Sequence, residues 1–90
     1  MALSEANYVR TFRKALKEDI KAKRASARAY LIAPPSVIHT MKVYDLLLAQ
    51  PQWGKRRVEK WLRETGVSTT KEIGQLTERQ RGEFARRLPW

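Results

Sequence analysis

Apolar residues recur along this chain at the three- and four-residue steps of amphipathic helices, and no stretch alternates in the period-two manner of a half-buried strand. From Ser4 to about Tyr30 neither Gly nor Pro interrupts and alanine recurs, which predicts one long helix. Ser4 stands where it can cap the start, with Glu5 beside the positive end of the helix dipole. The stripe Tyr8, Phe12, Leu16 and Ile20 steps by four. The following KAKRASARA segment offers only alanines to a core, so the second half of this helix is expected to project beyond it. Ala33, Pro34 and Pro35 stop the helix, because the residue before a proline is pushed out of the helical region and the ring removes a donor. This places a boundary between an arm, residues 1–33, and a compact domain, residues 36–90.

Beyond the prolines, Ser36 can start a short helical turn through His39, and Val43 to Ala49 forms a stronger apolar segment that ends at Gln50 and Pro51. Trp53 and Gly54 read as a tight turn. Lys55 to Thr65 reads as a helix with Val58, Trp61 and Leu62 on one face, closed by Gly66 as the left-handed residue after its end. Val67 to Leu76 is a connection with room for one helical turn. Thr77 and Gln80 make a capping box that opens a last helix, with Phe84, Ala85 and Leu88 facing inward before Pro89. The expected class is all-α.

With 90 residues the chain can bury only about 60% of the surface its unfolded form exposes, which leaves a thin core and no room for an enclosed active site. Nineteen Lys and Arg against nine Asp and Glu give a formal charge of +10. Such an excess destabilises a compact fold by self-repulsion, and it points to a polyanionic partner. The charge is spread evenly, +5 from residues 1–40 (eight cations, three anions) and +5 from residues 41–90 (eleven and six), so no detachable basic tail accounts for it. The absence of cysteine excludes disulfides and thiolate metal sites and fits an intracellular protein. The apolar runs fall far short of the roughly 20 residues needed to span a bilayer, and MALSEANYVR lacks the pattern of a signal peptide.

The segment QPQWGKRRVEKWL carries the functional signal, because a glycine-containing turn feeds a helix whose first turn holds Lys55, Arg56 and Arg57. A cation at the positive end of a helix is disfavoured by roughly 0.3–1 kcal/mol, so stability alone would select Asp or Glu there. An anion completes the arrangement. Unpaired N–H groups, a glycine that admits close approach and flanking cations together suit a phosphate. The competing reading is a solvated charged surface, which a lone Gly-Lys-Arg string cannot exclude. A second instance argues against it, since Arg79 and Arg81 crowd the first turn of the last helix and Lys71 lies in the loop before it. Arg86 and Arg87 sit at a helix C-terminus, where cations are favourable anyway.

Along the arm, Arg10, Lys14 and Lys17 read mainly as a solvated face. Lys21, Lys23, Arg24 and Arg28 lie where the apolar stripe fades and are therefore the better candidates to lie across a duplex. Trp61 belongs with the core by its spacing. Trp53 is open to either packing or stacking on a base, and Trp90 to packing or disorder. His39 has no Cys or carboxylate at ligand spacing, so neither a metal nor a cofactor is expected.

The residues MKVYDLLLAQPQWGKRRVEKWL, followed by ERQRGEFARRL, resemble the actinobacterial integration host factor family over most of residues 37–90. Met41, Lys42, Val43, Leu46, Leu47, Pro51, Gly54 and Lys55 stand where that family's motif has them, as do Gln80 and Arg81 in its later stretch. The resemblance implies a long N-terminal helix followed by a helix-two-turn-helix domain, a shape also found in a small-subunit ribosomal protein and in some repair glycosylases. It further implies a nucleoid protein that binds duplex DNA with little sequence preference, bends or constrains it, and assists phage integration with a recombinase. This chain departs from the pattern at Trp53, where the family has a small aliphatic, and at Thr69 to Ile73, where an Arg-rich loop keeps only Lys71 as a cation. A divergent or phage-borne member is the expectation.

The leading expectation is thus a cytoplasmic, non-enzymatic binder of double-stranded DNA, monomeric since nothing is heptad-like, with Gly54, Lys55 and Arg56 on one strand and Lys71 and Arg81 on a neighbouring stretch. An RNA or ribosome-associated binder is the alternative, because charge does not distinguish A-form from B-form. A repair enzyme borrows support only from domain shape. A peripheral membrane arm lacks large apolar residues on its later half.

Overall fold

The computed structural model describes the backbone of residues 2–88 and the side chains of residues 7–88; Pro89 and Trp90, and the side chains of Ser4 and Glu5, lie outside what is described. Five α-helices occur among these residues: α1 (Ala2–Lys21), α2 (Ala27–Ile32), α3 (Val43–Leu48), α4 (Lys55–Thr65) and α5 (Glu78–Arg87). Single 3-10 turns at Ser36–Ile38 and Ile73–Gln75 join them. The chain is all-α.

The expected single helix from Ser4 to Tyr30 is two helices at an angle. It begins at Ala2, so Ser4 is helical and not a cap, and it ends at Lys21. Lys23 takes φ 64°; its N–H donates to the Ile20 carbonyl at 3.1 Å and that of Arg24 to the Asp19 carbonyl at 2.8 Å. These two bonds define a Schellman motif, with lysine in the position that usually falls to glycine. Ser26 then opens α2, its hydroxyl accepting the Ala29 N–H at 3.2 Å.

The break has a packing cause. A straight continuation would carry Leu31 about 16 Å beyond Ile20, out of reach of the core. The bend returns Ala27 and Leu31 to it, where both are buried, and lays α2 against α5 and α3. Arg28 fastens this contact by donating Nε–H to the Ala85 carbonyl at 2.7 Å. The second half of the expected arm therefore packs and does not project. What remains outside is the start of α1: Leu16 and Ile20 are buried and Phe12 half-buried, but Tyr8 is 62% exposed and leans on Phe12 with ring centroids 6.2 Å apart.

The later elements follow their sequence signals. Helix α4 spans Lys55–Thr65 as the pattern predicts, and Gly66 ends it at φ 73° in a second Schellman motif, with Val67 N–H bonded to Leu62 O at 2.9 Å. Thr77 and Gln80 make the reciprocal capping box of α5. The two connecting segments also find each other. Val43 N–H bonds the Lys71 carbonyl at 3.0 Å, Ile73 N–H that of Met41 at 2.9 Å and Gly74 N–H that of His39 at 2.9 Å. Gly74 suits this close approach, since a β-carbon would stand 3.0 Å from His39 Cβ and 3.1 Å from its carbonyl and would make the neighbour give by a few tenths of an ångström. The core that results joins Ile20, Leu31, Ile38, Leu46, Leu62, Ile73 and Phe84, one from each of the five helices and the two 3-10 turns.

Two helices that end in the same motif, one on Gly and one on Lys, predict opposite responses. Gly66→Ala is expected to cost about 1–2 kcal/mol, since only glycine takes this conformation without strain. Lys23→Gly is expected to stabilise by about 0.5–1 kcal/mol, the relief exceeding the added entropy of the unfolded chain. Urea denaturation of the two variants beside the wild type checks both signs.

Candidate nucleic-acid interface

The amino end of α4 is delivered by a turn two residues earlier than the Trp53-Gly54 turn the sequence suggests. Trp53 N–H donates to the Gln50 carbonyl at 3.3 Å, with Pro51 and Gln52 between them and Gln52 at φ 69°. Pro is preset for the second position of such a turn, and the third requires positive φ. Gly54 follows as the N-cap in an extended conformation, φ −82° and ψ 173°. Its freedom is therefore not what the turn uses. A β-carbon there would meet nothing within 4 Å, so glycine leaves the approach to the helix end bare.

The first intrahelical bond of α4 runs from Val58 N–H to Gly54 O at 3.0 Å, which leaves the N–H groups of Lys55, Arg56 and Arg57 ahead of it. Gly54 brings no capping side chain and no carboxylate occupies the first turn. Lys55, Arg56 and Arg57 are all exposed. Trp53 is not: it is 9% exposed and packs edge-on against Trp61, centroids 6.1 Å apart, which in turn meets Phe84 at 4.6 Å. Trp53 and Val58 also occupy the two positions of a hydrophobic staple, both buried. Buried in this way, Trp53 presents no open ring face to a base. The face of its ring is covered by Arg57, whose guanidinium carbon lies 4.3 Å from the centroid.

The other candidates divide by what already holds them. Arg79 is exposed in the first turn of α5. Arg81 is half-buried and donates to the Leu76 and Ile73 carbonyls, both at 3.3 Å, tying the 3-10 turn to α5. Lys71 is half-buried, its carbonyl bonded to Val43. Arg24 pairs with Asp19 at 3.0 Å and Arg28 is committed to Ala85, whereas Lys21 and Lys23 are exposed. Arg86 and Arg87 both bond Glu83, and these bonds hold its carboxyl below the usual carboxylate range.

Along the arm, Lys21 and Lys23 stay exposed while Arg24 is paired and Arg28 bonded inward, and Arg10, Lys14 and Lys17 earlier in α1 are exposed as well. Arg10, Lys14, Lys17 and Lys21 fall at i, i+4, i+7 and i+11 on one exposed face of α1, and among the described residues none is in an ion pair. Arg13, one position off this line, is used inward instead, bonding the Val37 carbonyl at 3.1 Å and the Thr40 hydroxyl. Lys17 and Lys21 line a groove of about 400 Å³ whose other wall is Gln50, Pro51 and Gln52, with Glu18 and Asp45 also at its edge. The spacing of the four cations was legible in the sequence. Their availability was not, because it depends on which neighbours the bend consumes.

The geometry is that of an all-helical protein with an open, cation-flanked helix end. No protein-family model and no curated protein matches the chain. Among solved structures it is similar to sIHF, determined bound to an 8-bp palindromic DNA, with a TM-score of 0.83 and 27% sequence identity over 92% of this chain and 96% of that one. The fold is that of an integration-host-factor-like protein, and the likeness takes in more of the chain than residues 37–90.

Arg81 and Arg79 lie on the same turn and are expected to behave differently. Arg81→Ala removes two bonds to carbonyls in a half-buried setting and should cost about 1–3 kcal/mol of stability. Arg79→Ala should stay within about 0.5 kcal/mol. Thermal melts separate the two, and equal costs would mean that the guanidinium of Arg81 holds nothing together.

Proposed function

We propose that this chain is an architectural protein that binds double-stranded DNA through backbone phosphates and performs no chemistry. The observation that carries the reading is the amino end of α4: three N–H groups without helical partners, three exposed cations, and no carboxylate or capping side chain among them. A phosphate there meets the positive pole of the helix, takes hydrogen bonds from N–H groups and ion-pairs with Lys55 and Arg56. Each interaction stabilises the anion without reference to the base beyond it, so the contacts position the duplex and leave sequence unread. The similar fold of sIHF, solved on DNA, supports the same partner.

Arg79 and the exposed cations of α1 extend the positive surface, with Lys71 and Arg81 contributing what their internal bonds leave over. Bending or constraining a duplex in the nucleoid, service in a recombinase complex, action as a monomer and descent as a divergent or phage-borne member belong to this proposal.

If about five phosphates are neutralised, log K should fall against log salt with a slope near −4 to −5. Gel shifts on a duplex with Lys55→Glu and Arg56→Glu should show binding weakened by at least about tenfold for each, since a charge-assisted bond is lost and repulsion gained. Unchanged binding would remove the α4 end from the mechanism. A matched RNA duplex in competition tests the partner, and preference for RNA would overturn the DNA assignment.

A further inference from the structure

Arg57 differs from its neighbours in having a platform. Lys55 and Arg56 extend from the first turn of α4 without a partner among the described residues, whereas the guanidinium carbon of Arg57 lies 4.3 Å from the centroid of the Trp53 ring. That ring is itself immobilised, nine-tenths buried and braced edge-on by Trp61, with Trp61 braced by Phe84. No hydrogen bond or salt bridge engages the Arg57 side chain among the described residues.

We propose that Trp53 is a positioning residue for phosphate capture: it holds Arg57 flat at the amino end of α4, with the donor edge of the guanidinium turned to the anion that the helix end attracts. The inference rests on the phosphate-binding reading above and names a division of labour within it. A guanidinium stacked by its face keeps its five N–H donors around the rim, in the plane that matches a phosphate bidentately. An arginine side chain otherwise gives up as much as about 2 kcal/mol of rotamer freedom when fixed, and prior stacking removes part of that loss from the binding step. Arg57 and Arg56 carry equal charge one residue apart, yet Arg57 contributes more to affinity because it is already ordered. Lysine in its place would keep the charge and lose the fork.

The test is a double-mutant cycle on a labelled duplex at fixed salt, with wild type, Trp53→Leu, Arg57→Gln and the pair, together with Arg56→Gln and Trp53→Phe. Arg57→Gln is expected to weaken binding by about tenfold, and Arg56→Gln by clearly less. Trp53→Leu should weaken it by about threefold to fivefold, the worth of an exposed cation–π contact, and should add nothing in the Arg57→Gln background. Trp53→Phe, which keeps a ring face, should recover most of the loss. An equal loss from Trp53→Leu in both backgrounds would reduce Trp53 to core filler and overturn the proposal. Melting curves accompany each variant, and Trp53→Met replaces Trp53→Leu in the cycle if the latter is unfolded at the assay temperature.

A DNA-free measurement keeps the two readings apart. In the NMR spectrum of the wild type the Arg57 δ-methylene protons should be displaced upfield by the indole ring current, and the displacement should vanish in Trp53→Leu. Random-coil shifts for Arg57 in the wild type overturn the positioning role whatever the protein binds. A displaced Arg57 in a protein that fails to bind any duplex sinks the functional reading instead.

Discussion

The aromatic column from Phe84 through Trp61 to Trp53 is the interaction on which the candidate site depends. Helix α4 has only Val58 and Leu62 fully buried, and its charged face is otherwise in water. What fixes the direction of its amino end is the indole that precedes it, seated on a second indole, seated on a phenyl ring of α5. Edge-to-face pairs of this kind contribute about 0.5–1.5 kcal/mol each beyond their buried area. They also link the two helices whose first turns carry the exposed cations, so α4 and α5 present their charge from one rigid unit.

A chain of 90 residues with an excess of ten positive charges has little core to set against self-repulsion, and its economy shows in how the arginines are employed. Arg13, Arg28 and Arg81 reach back to carbonyls of other segments, and Arg24, Arg86 and Arg87 to carboxylates. The carboxylate pairs of Arg24, Arg86 and Arg87 also offset their charges locally, whereas the carbonyl bonds of Arg13, Arg28 and Arg81 fix the side chain and leave its charge. Among the described residues, the cations without such bonds include Lys55, Arg56, Arg79, Lys23, Lys42, Lys60, Arg63 and the α1 row of Arg10, Lys14, Lys17 and Lys21. A polyanion is the kind of partner that would relieve their repulsion.

Much of this was legible in the chain. The bounds of α4, its glycine terminator, the capping box of α5 and the inward faces of both helices follow from local signals, because each depends on residues within one or two turns. The helix-end cations at Lys55 to Arg57 were legible for the same reason: a charge that opposes the local dipole is visible without any knowledge of the rest. The break after Lys21 was not, since lysine is a poor marker for a left-handed residue and the bend lets α2 pack on α5, a segment distant in sequence. Nor could spacing decide Trp53, which reads equally well as a surface aromatic until Trp61 is seen beneath it.

The division follows the range of the forces. By itself the sequence determined the all-helical class, the ends of the later helices and the place where charge opposes the dipole, because hydrogen-bond capping, helical periodicity and the dipole act over a few residues. Only the tertiary structure decided which cations are available and which are bonded inward, where the arm bends, and that Trp53 lies under Arg57 instead of facing solvent. Those outcomes depend on contacts between distant segments, and a side chain's partner is settled by what the core brings beside it.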